Sequence, residues 1–158
     1  MKRLGFFLLS IITMSSQIGF SQEHHPKESV NATESCTDVM VHNLLVNENQ
    51  NLQDKDYKME SFFSGNIFPN VFKYIRLECK AGEEYEIRYV LGKHAKNYQM
   101  YVMAGQNEHI LKSKQKLAKG SINIIKEHFR AKHDGVYVVF YNQKTKVENC
   151  VGFSVLKK

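Results

Sequence analysis

The chain has 158 residues, is 42% hydrophobic and carries a formal charge of +6, from 22 Lys+Arg against 16 Asp+Glu. That length holds one domain with little room for a second. Its 10 Phe and 8 Tyr exclude a disordered chain, and its 2 prolines exclude a collagen-like or proline-rich linker protein.

Met1-Lys2-Arg3 begins basic, and an apolar run from Leu4 to Met14 follows, broken by Gly5 and Ser10. Small and polar residues then lead to Ser21-Gln22. This order reads as a secretory signal peptide over residues 1–21, with Gly19 and Ser21 at the small-residue positions before the cut. The apolar run is about half of the roughly 20 residues a spanning helix needs. No cysteine follows it to take a lipid anchor, and no later stretch is long enough to span a membrane. The expectation is an exported protein, periplasmic or extracellular, of 137 residues and net charge +4 after cleavage.

Charge is uneven along the remainder. Residues 22–72 carry 3 basic and 8 acidic groups, and residues 73–158 carry 17 and 8. The basic part could draw an anionic partner or pair with the acidic part of its own fold. The dominance of lysine over arginine, typical of solvated surface, favours internal pairing.

Taken in chain order, residues 22–56 read as a flexible N-terminal segment. Within it Val39 to Val46 suggests a short strand, and the Asn/Gln/Asp-rich stretch Asn47 to Asp56 a loop. From Tyr57 onward the pattern has period 2. Tyr85, Ile87, Tyr89 and Leu91 alternate with Glu84, Glu86 and Arg88, as in a half-buried antiparallel strand. Val71–Cys79, Tyr98–Met103, Ser121–Phe129, Val136–Tyr141 and Cys150–Leu156 also read as strands, being rich in Val, Ile, Tyr and Phe. Glu108–Leu117 fits a helix or an extended strand equally. Gly82, Gly105, Gly120 and Gly135 mark turns between them. Many short strands at this spacing predict an all-β fold, an antiparallel β-sandwich or barrel over residues 57–158, with the sandwich preferred.

Three cysteines in an exported chain allow one disulfide and three pairings. Cys79 shares a face with Ile75 and Leu77 and reads as core. Val151, Phe153 and Val155 take the core face of the last strand, which puts Cys150 on the other face. Cys36 lies outside the strand-rich region. The alternation therefore favours Cys36–Cys150, with Cys79 a buried thiol.

The phrases Gly82-Glu-Glu-Tyr85-Glu-Ile87, Phe129-Arg-Ala-Lys-His-Asp-Gly135-Val-Tyr137-Val-Val-Phe-Tyr141 and Asn149-Cys150-Val-Gly152-Phe-Ser-Val155 describe strand entries and returns. They resemble those of small exported bacterial jelly-roll domains. The pattern is similar to pre-peptidase C-terminal-like domains and to stand-alone exported β-sandwich proteins of Bacteroidetes-type bacteria. The resemblance covers roughly residues 57–158. It implies a jelly-roll-like sandwich and export, with no shared catalytic residues.

Local catalytic signatures are missing. There is no G-x-S-x-G nucleophile elbow, no glycine-built phosphate cradle, no H-E-x-x-H and no C-x-x-C. Of the seven histidines, His24 and His25 sit in the polar tail, His128 and His133 flank the turn at Asp134-Gly135, and His42, His94 and His109 are scattered. A metal centre needs three or four converging ligands, and this spacing demands none. Asn47, Asn49 and Asn51 imitate the first alternate ligands of a calcium loop. The glycine and glutamate that an EF-hand requires are replaced by Leu52 and Lys58. A looser calcium loop using Asp54 and Asp56 is the residual candidate. No cofactor is expected.

Two further sets of residues are binding candidates. Lys112, Lys114 and Lys116 alternate, so an extended chain sets them on one face with Lys119 nearby. They would serve either as a contact strip for an anionic partner or as guards of a sheet edge. Tyr137 and Tyr141 share the strand face opposite Val136, Val138 and Phe140, and one of these faces must point away from the core. With Tyr98 and Tyr101 on a neighbouring strand, the tyrosines could stack on sugar rings or pack on a partner protein. Burial under a loop or the N-terminal segment, usual for an amphipathic tyrosine at a sandwich corner, is the favoured alternative.

The readings rank as follows. First comes a non-catalytic exported binding or accessory module, with an envelope protein or a polysaccharide as partner. Second is an envelope structural or assembly protein acting through sheet edges or faces. Last is a small hydrolase whose site is assembled from distant strands. Nucleic acid is not expected as a partner, since the protein is exported and no interleaved aromatic-basic motif occurs.

Overall fold

A computed structural model describes residues 36, 38–105 and 108–158. The proposed leader, His24 and His25 lie outside the described residues. The elements are α1 (Val39–Gln53), β1 (Lys58–Ile67), β2 (Lys73–Cys79), β3 (Glu84–Leu91), β4 (Asn97–Ala104), β5 (Glu108–Lys116), β6 (Asn123–Arg130), β7 (Gly135–Lys144) and β8 (Asn149–Lys157). Two four-stranded sheets face each other, ordered β1-β8-β3-β6 and β2-β7-β4-β5, and all neighbouring strands pair antiparallel. This alternation of chain between two sheets is the jelly-roll order. The stretch Glu108–Leu117, open between helix and strand in the sequence, is the edge strand β5.

Period-2 side chains build the core between the sheets. Tyr98, Met100, Val102 and Ala104 of β4 meet Tyr137, Val139 and Tyr141 of β7 on one side. Tyr85, Ile87, Tyr89 and Leu91 of β3 and Val151, Phe153 and Val155 of β8 close the other. Tyr141 stacks on Phe153 with centroids 3.9 Å apart, and Tyr89 meets both edge-on. At one rim Gly82 takes φ +88°, a left-handed turn conformation that costs a side-chain-bearing residue strain. The neighbouring Ala81 N–H donates to Asp134 Oδ1 at 2.8 Å, joining two turns.

The segment before Tyr57 corrects the sequence reading. Neither a strand at Val39 to Val46 nor a loop over Asn47 to Asp56 forms; residues 39–53 are one helix. Asp38 caps it, its Oδ1 accepting from the Met40 N–H at 3.1 Å. The buried positions are Val41, Leu45, Asn49 and Leu52, a helical stripe disguised by the asparagine in its middle. The stripe lies on the outer face of the β1-β8-β3-β6 sheet, where Val41, Leu45, Val90 and Cys150 form a second apolar cluster. A Cβ on Gly152 would sit 2.9 Å from Leu45 Cδ2, so glycine there lets the helix approach. Asn49 Oδ1 accepts from the buried Ser154 hydroxyl at 2.6 Å. Glu48 holds Arg88 at 3.4 Å and Lys126 at 2.7 Å.

Cys36 and Cys150 form the disulfide, with Cα atoms 5.2 Å apart, and Cys79 is a buried thiol. Cys150 faces outward, as alternation around Val151 and Phe153 requires. The link pins the start of the helix segment to β8.

Candidate functional site

The tyrosine face of β7 points into the core, one of the two orientations the sequence allowed. Tyr98, Tyr137 and Tyr141 are 1%, 0% and 4% exposed, so none can stack on a ligand. Their hydroxyls find partners or stay shielded inside, which is why an amphipathic tyrosine is tolerated there. The Tyr137 hydroxyl accepts from the Lys132 and His133 N–H groups at 3.0 and 3.3 Å and donates to the His133 carbonyl at 3.1 Å, clasping the β6–β7 turn. The Tyr98 hydroxyl bonds Ser113 Oγ at 2.6 Å. Burial pushes the Tyr98 and Tyr141 hydroxyls above their ordinary titration range. Of the four candidates only Tyr101 lies on the outer surface, and it is half-buried.

The outer face of the β2-β7-β4-β5 sheet is organised in rows across the strands. Register aligns Tyr74, Phe140, Tyr101 and Lys112 in the first row. Asn142, Gln99 and Lys114 form the second, and Lys144, Asn97 and Lys116 the third. Successive rows are two residues apart, about 6.8 Å along the strands. Beyond the aromatic row lie Val138 and Met103, paired with each other, and Val136, which is 51% exposed. Tyr74 is 47% exposed, its ring centroid 6.1 Å from that of Phe140. Lys112 Nζ sits over the Tyr101 ring, 5.9 Å from its centroid. The face therefore passes from rows that mix Val136, Val138 and Met103 with Arg76 and Glu78 of β2, through the aromatic row, to amide and then to lysine.

Between the amide and lysine rows is a hollow of about 230 Å³ lined by Asn70, Asn97, Gln99, Lys114, Asn142 and Lys144. Asn70 enters it from the β1–β2 turn, at φ +60°. Asn142 is 8% exposed and lines the hollow. Lys114, Lys116 and Lys144 enter no ion pair with a described residue. Elsewhere some basic groups are engaged: Arg88 with Glu48 and Glu86, Lys126 with Glu48, Arg130 with Glu84, Lys132 with Glu108, Lys157 with Glu60 and Glu83. Internal pairing thus accounts for part of the basic excess and leaves this face positive. Lys119 does not join the strip; it lies in the β5–β6 loop beside Lys93 and His94.

No protein-family model matches the sequence, and no curated protein matches it. Among solved structures the chain is similar to the Aeromonas hydrophila periplasmic lysozyme inhibitor of g-type lysozyme. The identity is 15%, the match covers 66% of this chain and 90% of that one, and the TM-score is 0.45. At that identity and score the likeness carries no functional assignment.

A larger opening, about 860 Å³, lies at the end of the sandwich where the disulfide and the helix start meet; Lys93, His94, Glu148 and Asn149 line it. Its buried amide is already engaged: Asn149 Nδ2 donates to the Gly92 carbonyl at 3.2 Å and to Gln143 Oε1 at 2.7 Å. Asp38 there serves as the helix cap. The stretch holding the residual calcium candidates Asp54 and Asp56 is the end of a helix and the turn after it. Asp54 ends α1, where its Oδ1 accepts from Gln50 Nε2 at 2.8 Å, and Asp56 follows in the turn. Asn49 points inward to Ser154. Among the described residues no three His, Cys, Asp or Glu side chains gather to hold a metal, and no helix is long and apolar enough to cross a membrane.

Proposed function

We propose that this is an exported, non-catalytic binding module, and that the outer face of the β2-β7-β4-β5 sheet is its binding surface. Export rests on the leader anatomy of residues 1–21 and on the disulfide, which persists in an oxidising compartment. The single observation that carries the surface is the half-exposed pair Phe140 and Tyr101 beside lysines that enter no ion pair among the described residues. Exposed contiguous apolar surface rimmed by polar groups marks interaction sites on soluble proteins. The lysines of the β5 edge disfavour growth by strand addition, so the face rather than the edge carries contact.

Sedimentation with isolated cell envelopes tests this. The mature protein co-sediments, and a Tyr101→Ala/Phe140→Ala variant with an unchanged circular dichroism spectrum stays in the supernatant. Equal co-sedimentation of the two would refute the assignment of the surface.

A further inference from the structure

We infer that the hollow at Asn142 is a subsite for one acidic sugar residue of an extended glycan, a uronate-type ring lying beside the aromatic row. The inference rests on the binding face proposed above and names its ligand class.

The lining chemistry selects the ligand. Asn70, Asn97, Gln99 and Asn142 each offer an amide oxygen that accepts and an amide nitrogen that donates. That dual character matches hydroxyl groups, which also do both. Lys114 and Lys144 add two cationic donors, and no carboxylate lines the hollow. An anionic group is therefore welcome and a cation is not. Asn142 is nine-tenths buried and lines the hollow, so its amide can meet a hydroxyl that enters.

Size and surroundings narrow the class further. A space of about 230 Å³ falls below the roughly 300–1,000 Å³ of sites that enclose drug-sized ligands, and one sugar ring suits it better than a whole cofactor. One row away Phe140 and Tyr101 offer ring surface to the apolar C–H side of a neighbouring sugar. Lys112, Lys114 and Lys116 continue the positive strip along β5, so a repeating anionic polymer meets charge beyond the first ring. An acidic protein partner would instead use an apolar pocket for an anchoring side chain; the hollow is lined by amides and lysines.

The test is isothermal titration of the mature protein with polygalacturonate and alginate as uronate polymers, dextran as a neutral glycan and polyglutamate as an acidic polypeptide. Both uronate polymers bind, while dextran and polyglutamate bind at least about tenfold more weakly. Lys114→Met/Lys144→Met weakens uronate binding by about tenfold or more, and Asn142→Ala by about fivefold, the scale of one lost hydrogen bond. Lys93→Met/Lys119→Met removes equal charge at the end of the sandwich and changes binding by less than about twofold. The lysine variants alter exposed side chains, so the result stands even where Asn142→Ala loses its fold. Polyglutamate binding as tightly as the uronates, dextran doing so, or the distant lysine pair mattering equally would overturn the inference. Absence of uronate binding alongside envelope retention that still depends on Tyr101 and Phe140 overturns the sugar assignment and leaves the surface standing. Absence of both overturns both.

Discussion

The two outer faces of the sandwich are treated in opposite ways. On the β1-β8-β3-β6 sheet, α1 lays Val41, Leu45 and Leu52 down, Gly152 clears space, Asn49 bonds Ser154, and the Cys36–Cys150 link closes the end. β8 is consequently buried along both of its faces. On the β2-β7-β4-β5 sheet nothing among the described residues covers Val136, Phe140 or Tyr101. Phe140 and Tyr101 stay half-exposed on this second face, which is the binding surface proposed above.

The largest effect should come from releasing the cover. The disulfide joins residues 114 apart, and a cross-link over a loop of that length contributes about 4–5 kcal/mol through the unfolded chain. Cys36→Ser/Cys150→Ser should lower the thermal midpoint by on the order of 10–20 °C. It should also raise binding of a hydrophobic dye as Val90 and Ile124 become accessible. A midpoint within about 2 °C of the parent would mean that the link does not hold the helix segment down.

A matched pair of substitutions compares the faces directly. Leu45 is fully buried under the helix, and Leu45→Ala should cost about 3 kcal/mol in urea unfolding. Val136 is 51% exposed on the open face, and Val136→Ala should stay within about 0.5 kcal/mol. Similar costs at both positions would show that the second face is also packed, against residues outside those described.

How far the sequence reached depends on which physical signal was unmixed. Strands with one polar face announced themselves, as in Tyr85, Ile87, Tyr89 and Leu91 against Glu84, Glu86 and Arg88. The same alternation placed Cys150 outward and led to its partner. The helix was hidden because its stripe contains Asn49, whose partner Ser154 is 105 residues away; no local pattern shows that an asparagine will be buried. The strand β7 has two apolar faces, and choosing between them needed tertiary knowledge. The Tyr137 hydroxyl is satisfied by a turn that only the fold brings to it. The amide hollow was out of reach because Asn70, Gln99 and Asn142 come together only through register across β7 and β4 and the crossing of the β1–β2 turn.

The inner faces of both sheets carry tyrosines whose titration reports on burial. Burial raises the hydroxyls of Tyr85, Tyr89, Tyr98 and Tyr141 above their usual value of 10. For Tyr85 the neighbouring Cys79 and Glu83 add to the effect, and for Tyr98 the Glu127 carboxylate does. A neutral group held in the fold and free to ionise in the unfolded chain leaves stability intact below pH 10 and removes it as the pH rises further. Ultraviolet titration should show a late phase from these four, coincident with unfolding, and hysteresis on return. Smooth reversible ionisation of all eight tyrosines near pH 10 would contradict a closed core.

The smallest effect concerns the free edge of the open sheet. Glu108 starts β5, and its carboxylate oxygens meet Lys132 Nζ at 2.9 Å and His133 Nε2 at 2.8 Å in the β6–β7 turn. The hydrogen bond to Glu108, helped by the Asp134 carbonyl, raises His133 above 6.5, and His133 with Lys132 lowers Glu108 below 4.5. The histidine contribution is fully present below pH 6.5 and fades as pH rises through its raised value; the glutamate contribution is present above pH 4.5 and fades as pH falls through its lowered one. The clasp is thus strongest between those two values. Both groups are exposed, so global stability should hardly move. Glu108→Gln should instead return His133 toward its ordinary value in a proton NMR titration, and speed amide exchange at the start of β5 while leaving β8 protected. Faster exchange in β8 would mean that the covered face depends on the open edge, and the two faces would then not be independent.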